Sequence, residues 1–279
     1  MGAEDLLAQM LDLERKGDWE GVVRELREAL ESEPEDPALL CWLGVAEREL
    51  GLPGSGYDRF KEALARDPQD PAVLATIGNG LARLDDPNAE AALRSAAVMA
   101  PDLLLARTLF GAYLSREGLF EDAMRELDAA SALDPDDPLV AYEQGVALAL
   151  QGRMEKALEA LDRSLKLDPA EGWGRVVTGL IEVELGRLEM AARHLSEGAR
   201  SLPEDVEAQL LAALAAKVAG WEDLAREMLE RGRQNADPLD YPLIEMVEMR
   251  LDEGPESASS LLAHELLPGA LRERLMTRP

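Results

Sequence analysis

A proline returns along this chain about every 34 residues, and that period restricts the possible fold more than any other feature. Pro34, Pro68, Pro101, Pro135, Pro169 and Pro203 are separated by 34, 33, 34, 34 and 34 residues. Seventeen residues before five of them stands a glycine: Gly17, Gly51, Gly118, Gly152 and Gly186. A period of this length implies stacked supersecondary units that share a continuous core, not one closed globule. Such an array offers a long surface to a partner and seldom assembles a catalytic site. Binding is therefore the class of function the sequence points to, and the bound molecule stays open.

Residues 104–137 show the pattern of one unit. An apolar-rich stretch runs from Leu104 to Ser115 and is interrupted by Arg116-Glu117-Gly118; a second runs from Phe120 to Leu133 and stops at Asp134-Pro135. Leu103, Phe110 and Leu114 recur at helical spacing, as do Ala123, Leu127, Ala130 and Leu133. Gly118 suits a helix C-terminus, where a left-handed conformation is cheap for glycine. Pro135 lacks an N–H and fits a connection or a first turn, not a helix interior. The unit reads as helix, tight turn, helix, tight turn, with Gly111, Ala123 and Ala130 small enough for close approach of the pair.

This unit resembles a tetratricopeptide repeat, with Phe110-Gly111, Leu114, Gly118, Ala123, Leu127, Ala130 and Pro135 at the offsets of that family. The match repeats in Gly145, Leu148, Gly152, Ala157, Leu161, Ser164 and Pro169, and in Gly179, Gly186, Ala191, Leu195 and Pro203. The resemblance implies an all-α, right-handed solenoid of helix pairs. Its repeats are expected at 3–36, 37–70, 71–103, 104–137, 138–171, 172–205 and 206–239, with a degenerate unit at 240–268 and a capping tail at 269–279. Unit 71–103 is one residue short, and Asp85-Asp86-Pro87-Asn88 replaces its glycine turn. The tail, with Arg272, Arg274 and Arg278 against Glu273, reads as a short helix from Gly269 to Met276 that covers the last repeat's apolar face.

Composition narrows the function further. The 279 residues carry a formal net charge of −27, which repels nucleic acid and anionic lipid. One cysteine, Cys41, excludes a disulfide framework or a thiolate metal cluster. The start, Met1-Gly2-Ala3-Glu4-Asp5-Leu6, lacks the basic and apolar regions of a secretory signal, and no apolar run is long enough to span a membrane. The cytoplasm is the expected location. Neither a phosphate-binding Gly-x-x-x-x-Gly-Lys-[Ser/Thr] loop nor a His-Glu-x-x-His motif occurs. His194 and His264 are each alone and read as surface residues. No catalytic residue, cofactor or metal is expected, and the chain does not read as an enzyme.

The charge is unevenly placed. The five first helices between residues 71 and 219 hold five acids (Glu117, Glu143, Glu182, Glu184, Glu207) and five bases (Arg83, Arg107, Arg116, Arg175, Lys217). The acidic excess lies on second helices and turns. By the resemblance, first helices line a concave wall, so the wall is near neutral and apolar; part of the bias follows simply from first helices being more buried. The resemblance also points Cys41, Ala75 and Lys217 into the groove, together with the expected partner-binding residues Val45, Arg48, Asn79, Arg83, Thr108, Ala112, Arg116, Tyr142, Val146, Trp173, Val176, Leu180, Leu210 and Leu214. An apolar row of this length is expected to be a binding patch. Trp173, between Gly172 and Gly174, and Tyr142 are its aromatic anchors, unless they pack as core. Trp19 and Trp221, in turns, read as packing residues. Arg48, Arg83 and Arg116 fall at nearly equivalent places and form a basic ladder that either clamps an acidic peptide or pairs with acids of neighbouring units. Basic groups at Cys41, Ala75 and Thr108, which a chaperone-tail clamp would need, are missing.

The expected function is a scaffold or adaptor that binds an extended or helical apolar segment of a protein or peptide in its groove. The alternatives are an assembly or secretion-linked chaperone that shields apolar clients, and a self-associating structural module. Homo-oligomerisation is left open; nucleic acid and integral membrane insertion are not expected.

Overall fold

The computed structural model describes residues 9–10 and 12–277. The readings placed on Met1 to Leu6 and on Arg278 lie outside them. The described chain is helical with short turns and, among the described residues, contains no strand. The helices are α1 Trp19–Ser32, α2 Pro37–Glu49, α3 Pro53–Leu64, α4 Pro71–Ala82, α5 Ala89–Met99, α6 Leu104–Arg116, α7 Phe120–Leu133, α8 Pro138–Leu150, α9 Met154–Leu167, α10 Gly172–Glu184, α11 Leu188–Ser201, α12 Val206–Val218, α13 Glu222–Asn235 and α14 Tyr241–Glu253. A last helical run comprises α15 Pro255–Ser260, a π-helical segment Leu261–Leu266 and α16 Leu267–Met276.

The 34-residue period acts through three local devices. After the first helix of each pair, a glycine takes the left-handed conformation: Gly17, Gly51, Gly118, Gly152, Gly186 and Gly220 have φ between +69° and +77°. In the shortened unit Asp85 adopts the same region with φ +53°, so the Asp-Asp-Pro-Asn sequence does replace the glycine turn. Next, an acid following the turn proline caps the next first helix. Asp36 accepts from the Ala38 and Leu39 amides, Asp70 from Ala72, Asp137 from Val140, Glu171 from Trp173 and Asp205 from Ala208. Much of the acidity of the turns is thus helix capping. Last, a glycine in the first helix lets a second-helix leucine lie against its backbone. A Cβ at Gly111, Gly145 or Gly179 would fall 2.7 Å from Cγ of Leu127, Leu161 or Leu195.

The chain divides into two compact units, one holding most of residues 1–133 and the other residues 134–277. In unit 1 consecutive helices α1 to α6 pack together, and the first helices α2, α4 and α6 also touch in succession. Phe60, Ile77, Leu81, Leu93 and Leu127 are fully buried there. In unit 2 consecutive helices from α8 to α13 pack in the same way over Leu161, Val177, Ile181, Leu195 and Leu211. Two bridges recur between turn and helix. Arg107 donates to the Pro101 carbonyl and pairs with Glu126, while Arg175 donates to the Pro169 carbonyl at 2.6 Å and pairs with Glu197.

The C-terminal segment departs from the repeat. Gly254, with φ +114°, reverses the chain before Pro255. The following helix runs unbroken through residue 269 to Met276. Pro268 cannot donate a backbone hydrogen bond, and the preceding turn widens, with Leu267 N–H bonding the Leu262 carbonyl five residues back. Instead of closing only the end of the last repeat, this run packs along first helices: α15 and the π segment against α12, and α16 against α10 and α8.

Candidate functional site

The expected site residues fall on two walls, one in each unit. On unit 1, Val45, Arg48 and Asn79 are partly exposed and Arg83 is exposed. Trp42, three residues before Val45 on α2 and outside the expected row, is 42% exposed. Thr108, Ala112 and Arg116 are buried, with the Thr108 hydroxyl donating to the Leu104 carbonyl and Arg116 Nη1 to the Ala112 carbonyl. Ala75 and Cys41 are also buried. Burial pushes the Cys41 thiol up to about 12, against a smaller opposing effect of Arg48.

The three arginines feel one another. Arg48 pairs at 2.7 Å with Glu49, its neighbour on the same helix, not with an acid of another repeat. Among the described residues, no carboxylate lies within 4 Å of the Arg83 guanidinium. Partial desolvation lowers the Arg83 pKa to about 10, the positive charges of Arg48 and Arg116 add to this, and Glu49 opposes it.

On unit 2 the expected apolar row is covered. Val146, Val176, Leu180, Leu210 and Leu214 have no exposure at all, and Tyr142 and Trp173 are half-buried. Lys217 is also partly buried and pairs with Glu222 at 2.9 Å. Val176 and Leu210 lie against Gly198 and Gly232 of the second helices, and the chain's own C-terminal run covers the wall beyond them: α15 and the π segment lie on α12, and α16, whose Leu267, Ala270, Leu271 and Leu275 are buried in the same core cluster, lies on α10 and α8. The sequence predicts an apolar patch open to a partner; the structure fills that part of it from within.

One ion cluster fixes the cover. Arg274 is 3% exposed. Its Nη2 donates to both carboxylate oxygens of Asp205, at 3.0 and 2.9 Å, and its Nη1 donates to Glu207. Its guanidinium carbon lies 5.4 Å from the centre of the Trp173 ring. Burial lowers the Arg274 pKa, but Asp205 and Glu207 together outweigh it and leave it above its ordinary value. Asp205 also caps α12, and Glu171 caps the turn that carries Trp173, so both walls of the socket are set by helix capping. Trp173 therefore has a structural partner, as do Trp19 and Trp221, which pack against the cores of their units. His264 is exposed as the sequence predicts, but His194 is half-buried, with Nδ1 2.9 Å from Glu182 Oε2. Asp205 and Trp42 are not among the residues that the sequence singles out, and Glu207 counts there only as one of the first-helix acids. The available signal was Arg274 itself, a lone charge on the apolar stripe of Leu267, Leu271 and Leu275.

The tetratricopeptide-repeat family model matches residues 7–71 and 108–171. These two stretches carry tetratricopeptide repeats, and the paired helices and periodic turns continue the same architecture outside them. Among solved structures, a chain of the APC/C hetero-tetramer Cut9–Hcn1 aligns with TM-score 0.68 at 18% identity, covering 85% of this chain and 48% of that one. The present chain thus spans about half the length of that relative. PilW, a type IV pilus biogenesis factor, aligns with TM-score 0.58 at 18% identity over 72% of this chain and 93% of its own. PilF of Pseudomonas aeruginosa gives TM-score 0.56 at 19% identity over 80% and 98%. At these identities the likeness is one of fold. Among curated proteins none matches significantly in sequence. No described helix is long and apolar enough to cross a membrane.

Proposed function

We propose that the protein is an interaction scaffold whose first-helix wall holds a helical apolar segment of a partner protein. The observation that carries this reading is the segment already lying on α8, α10 and α12. Three leucines of α16 are buried there, each worth roughly 1.5–3 kcal/mol before the entropy of ordering is subtracted. A surface that holds one amphipathic helix in this way has the shape and chemistry to hold another. Val45 and Trp42 on unit 1 add apolar area that is open to water.

The test presents the full-length protein with amphipathic helical peptides and, separately, with acidic extended peptides. Apolar helices are expected to bind, with affinity changing less than about tenfold between about 0.1 and about 0.5 M salt, because screening acts on exposed charges and not on apolar burial. Retention of only the acidic peptides, lost as salt rises, would replace this reading with an anionic ligand on Arg48 and Arg83.

A further inference from the structure

The last helix depends on its wall. It is the last ten residues of the continuous C-terminal helical run. Pro268 and Gly269 stand in its first turn, and the π segment interrupts the regular helix just before it. Its buried stripe is Leu267, Leu271, Arg274 and Leu275. The helix also turns Glu273 into a cleft of about 680 Å³ that is already lined by Glu204, Asp205, Glu207, Asp237 and Asp240. In that cleft a single cation, Arg274, faces six carboxylates, and the resident helix itself brings one of them.

Resting on the scaffold reading, we propose that the wall of α8 and α10, with the N-terminal end of α12, is the docking surface for an amphipathic partner helix that carries an arginine, and that residues 267–276 are a resident stand-in which such a helix displaces. The socket reads a guanidinium specifically. Nη2 reaches Asp205 and Nη1 reaches Glu207, so the planar group forks across two acids, and Trp173 offers its ring face. A lysine ammonium cannot reproduce that planar, forked arrangement. A partner with a basic or neutral residue in place of Glu273 would relieve the crowding of like charges in the cleft, so it has an electrostatic advantage over the resident. The segment that must leave is short, and the π segment before it, though continuous with α15, is a place where the run can hinge.

The experiment uses full-length protein and a fluorescein-labelled peptide with the sequence of residues 261–277 carrying Glu273→Lys. Binding is followed by anisotropy, and release of the resident helix by trypsin cleavage after Arg272 of the protein, read by mass spectrometry. Saturable binding with faster cleavage is expected, and Arg274→Lys or Arg274→Leu in the peptide should weaken it by at least about tenfold, the loss of a forked charge-assisted pair. In the protein, Arg274→Met keeps the apolar body of the side chain and weakens the resident. Peptide affinity should then rise about tenfold, because a larger fraction of the wall is vacant. If that variant does not fold, the peptide series on the unaltered protein decides.

Equal binding by peptides with and without the arginine would overturn the proposal. Binding with unchanged cleavage would place the peptide elsewhere; the proposal would fall while the scaffold reading stood. If no apolar helix binds even to Arg274→Met, both fail. If the resident helix leaves only as the protein dimerises, as seen by light scattering without peptide, the surface joins two copies of this chain and the partner proposal falls.

Discussion

On unit 1, the first helices α2 and α4 leave Trp42, Val45, Arg48, Asn79 and Arg83 in reach of water; on unit 2, the corresponding helices α8, α10 and α12 hide Val146, Val176, Leu180, Leu210 and Leu214 completely. The same 34-residue register builds both. Cys41, Ala75, Thr108, Ala112 and Arg116 of unit 1 are buried too; what unit 2 adds is a cover, supplied by residues outside the repeat. The composition of the two walls follows from this. The open wall mixes apolar groups with arginine and asparagine, whereas the covered wall is almost purely apolar. An apolar row on a repeat surface is therefore ambiguous in sequence: it marks a place for a ligand, and the ligand here is part of the same chain.

Removing the cover is the largest perturbation. A chain ending at Glu253 should lose on the order of 5 kcal/mol or more from unit 2, given three leucines at roughly 1.5–3 kcal/mol each. Calorimetry should show a lowered transition for unit 2 with that of unit 1 retained, together with new binding of a hydrophobic dye. A single lowered transition for the whole chain would mean that the two units do not melt separately. Less drastically, Leu271→Ala should cost about 2–4 kcal/mol, whereas Val45→Ala on the open wall should cost under about 1 kcal/mol, measured by urea unfolding. Equal losses would erase the distinction between the walls.

The packing glycines give a smaller, symmetrical test. Gly111→Ala in unit 1 and Gly179→Ala in unit 2 each place a methyl 2.7 Å from a leucine Cγ. Both should lose about 1–3 kcal/mol, the range for overpacking, because this contact belongs to the repeat and not to the cover.

The smallest effect is confined to unit 2 and depends on pH. The hydrogen bond to Glu182 raises the His194 pKa above 6.5, working against desolvation. A raised pKa means that the stabilisation is fully present below the unfolded value near 6.5 and disappears as pH rises through the folded value. The expected change is a fraction of a kcal/mol in that window, removed by His194→Gln. A stability that rises with pH there in a His194-dependent way would contradict the pairing.

The fold was legible because its signals are periodic and local. Gly118 and Pro135 end helices within a residue of the expected places, and Asp85 takes the left-handed turn that its position requires. In sequence the acids after the prolines count only toward the acidic excess of the turns, yet Asp36, Asp70 and Asp205 are caps, a role that their place before each first helix encodes. The site was less legible because the docking of a non-repeat helix is set by contacts between residues 67 to 69 positions apart, such as Arg274 with Glu207 and Asp205. No period announces such a pair. Likewise His194 was read from its isolation in sequence, while its partner lies across the helix pair.

The most direct measurement of the difference between the walls is hydrogen–deuterium exchange of the unmodified protein, resolved to the peptide covering Ala270 to Met276. Seated on α8 and α10, those amides should exchange at least about a hundredfold more slowly than in the free peptide, in line with protection of a packed helix. Exchange as fast as in the free peptide would mean that the last helix does not rest on α8 and α10 and that the contrast between the two units does not exist.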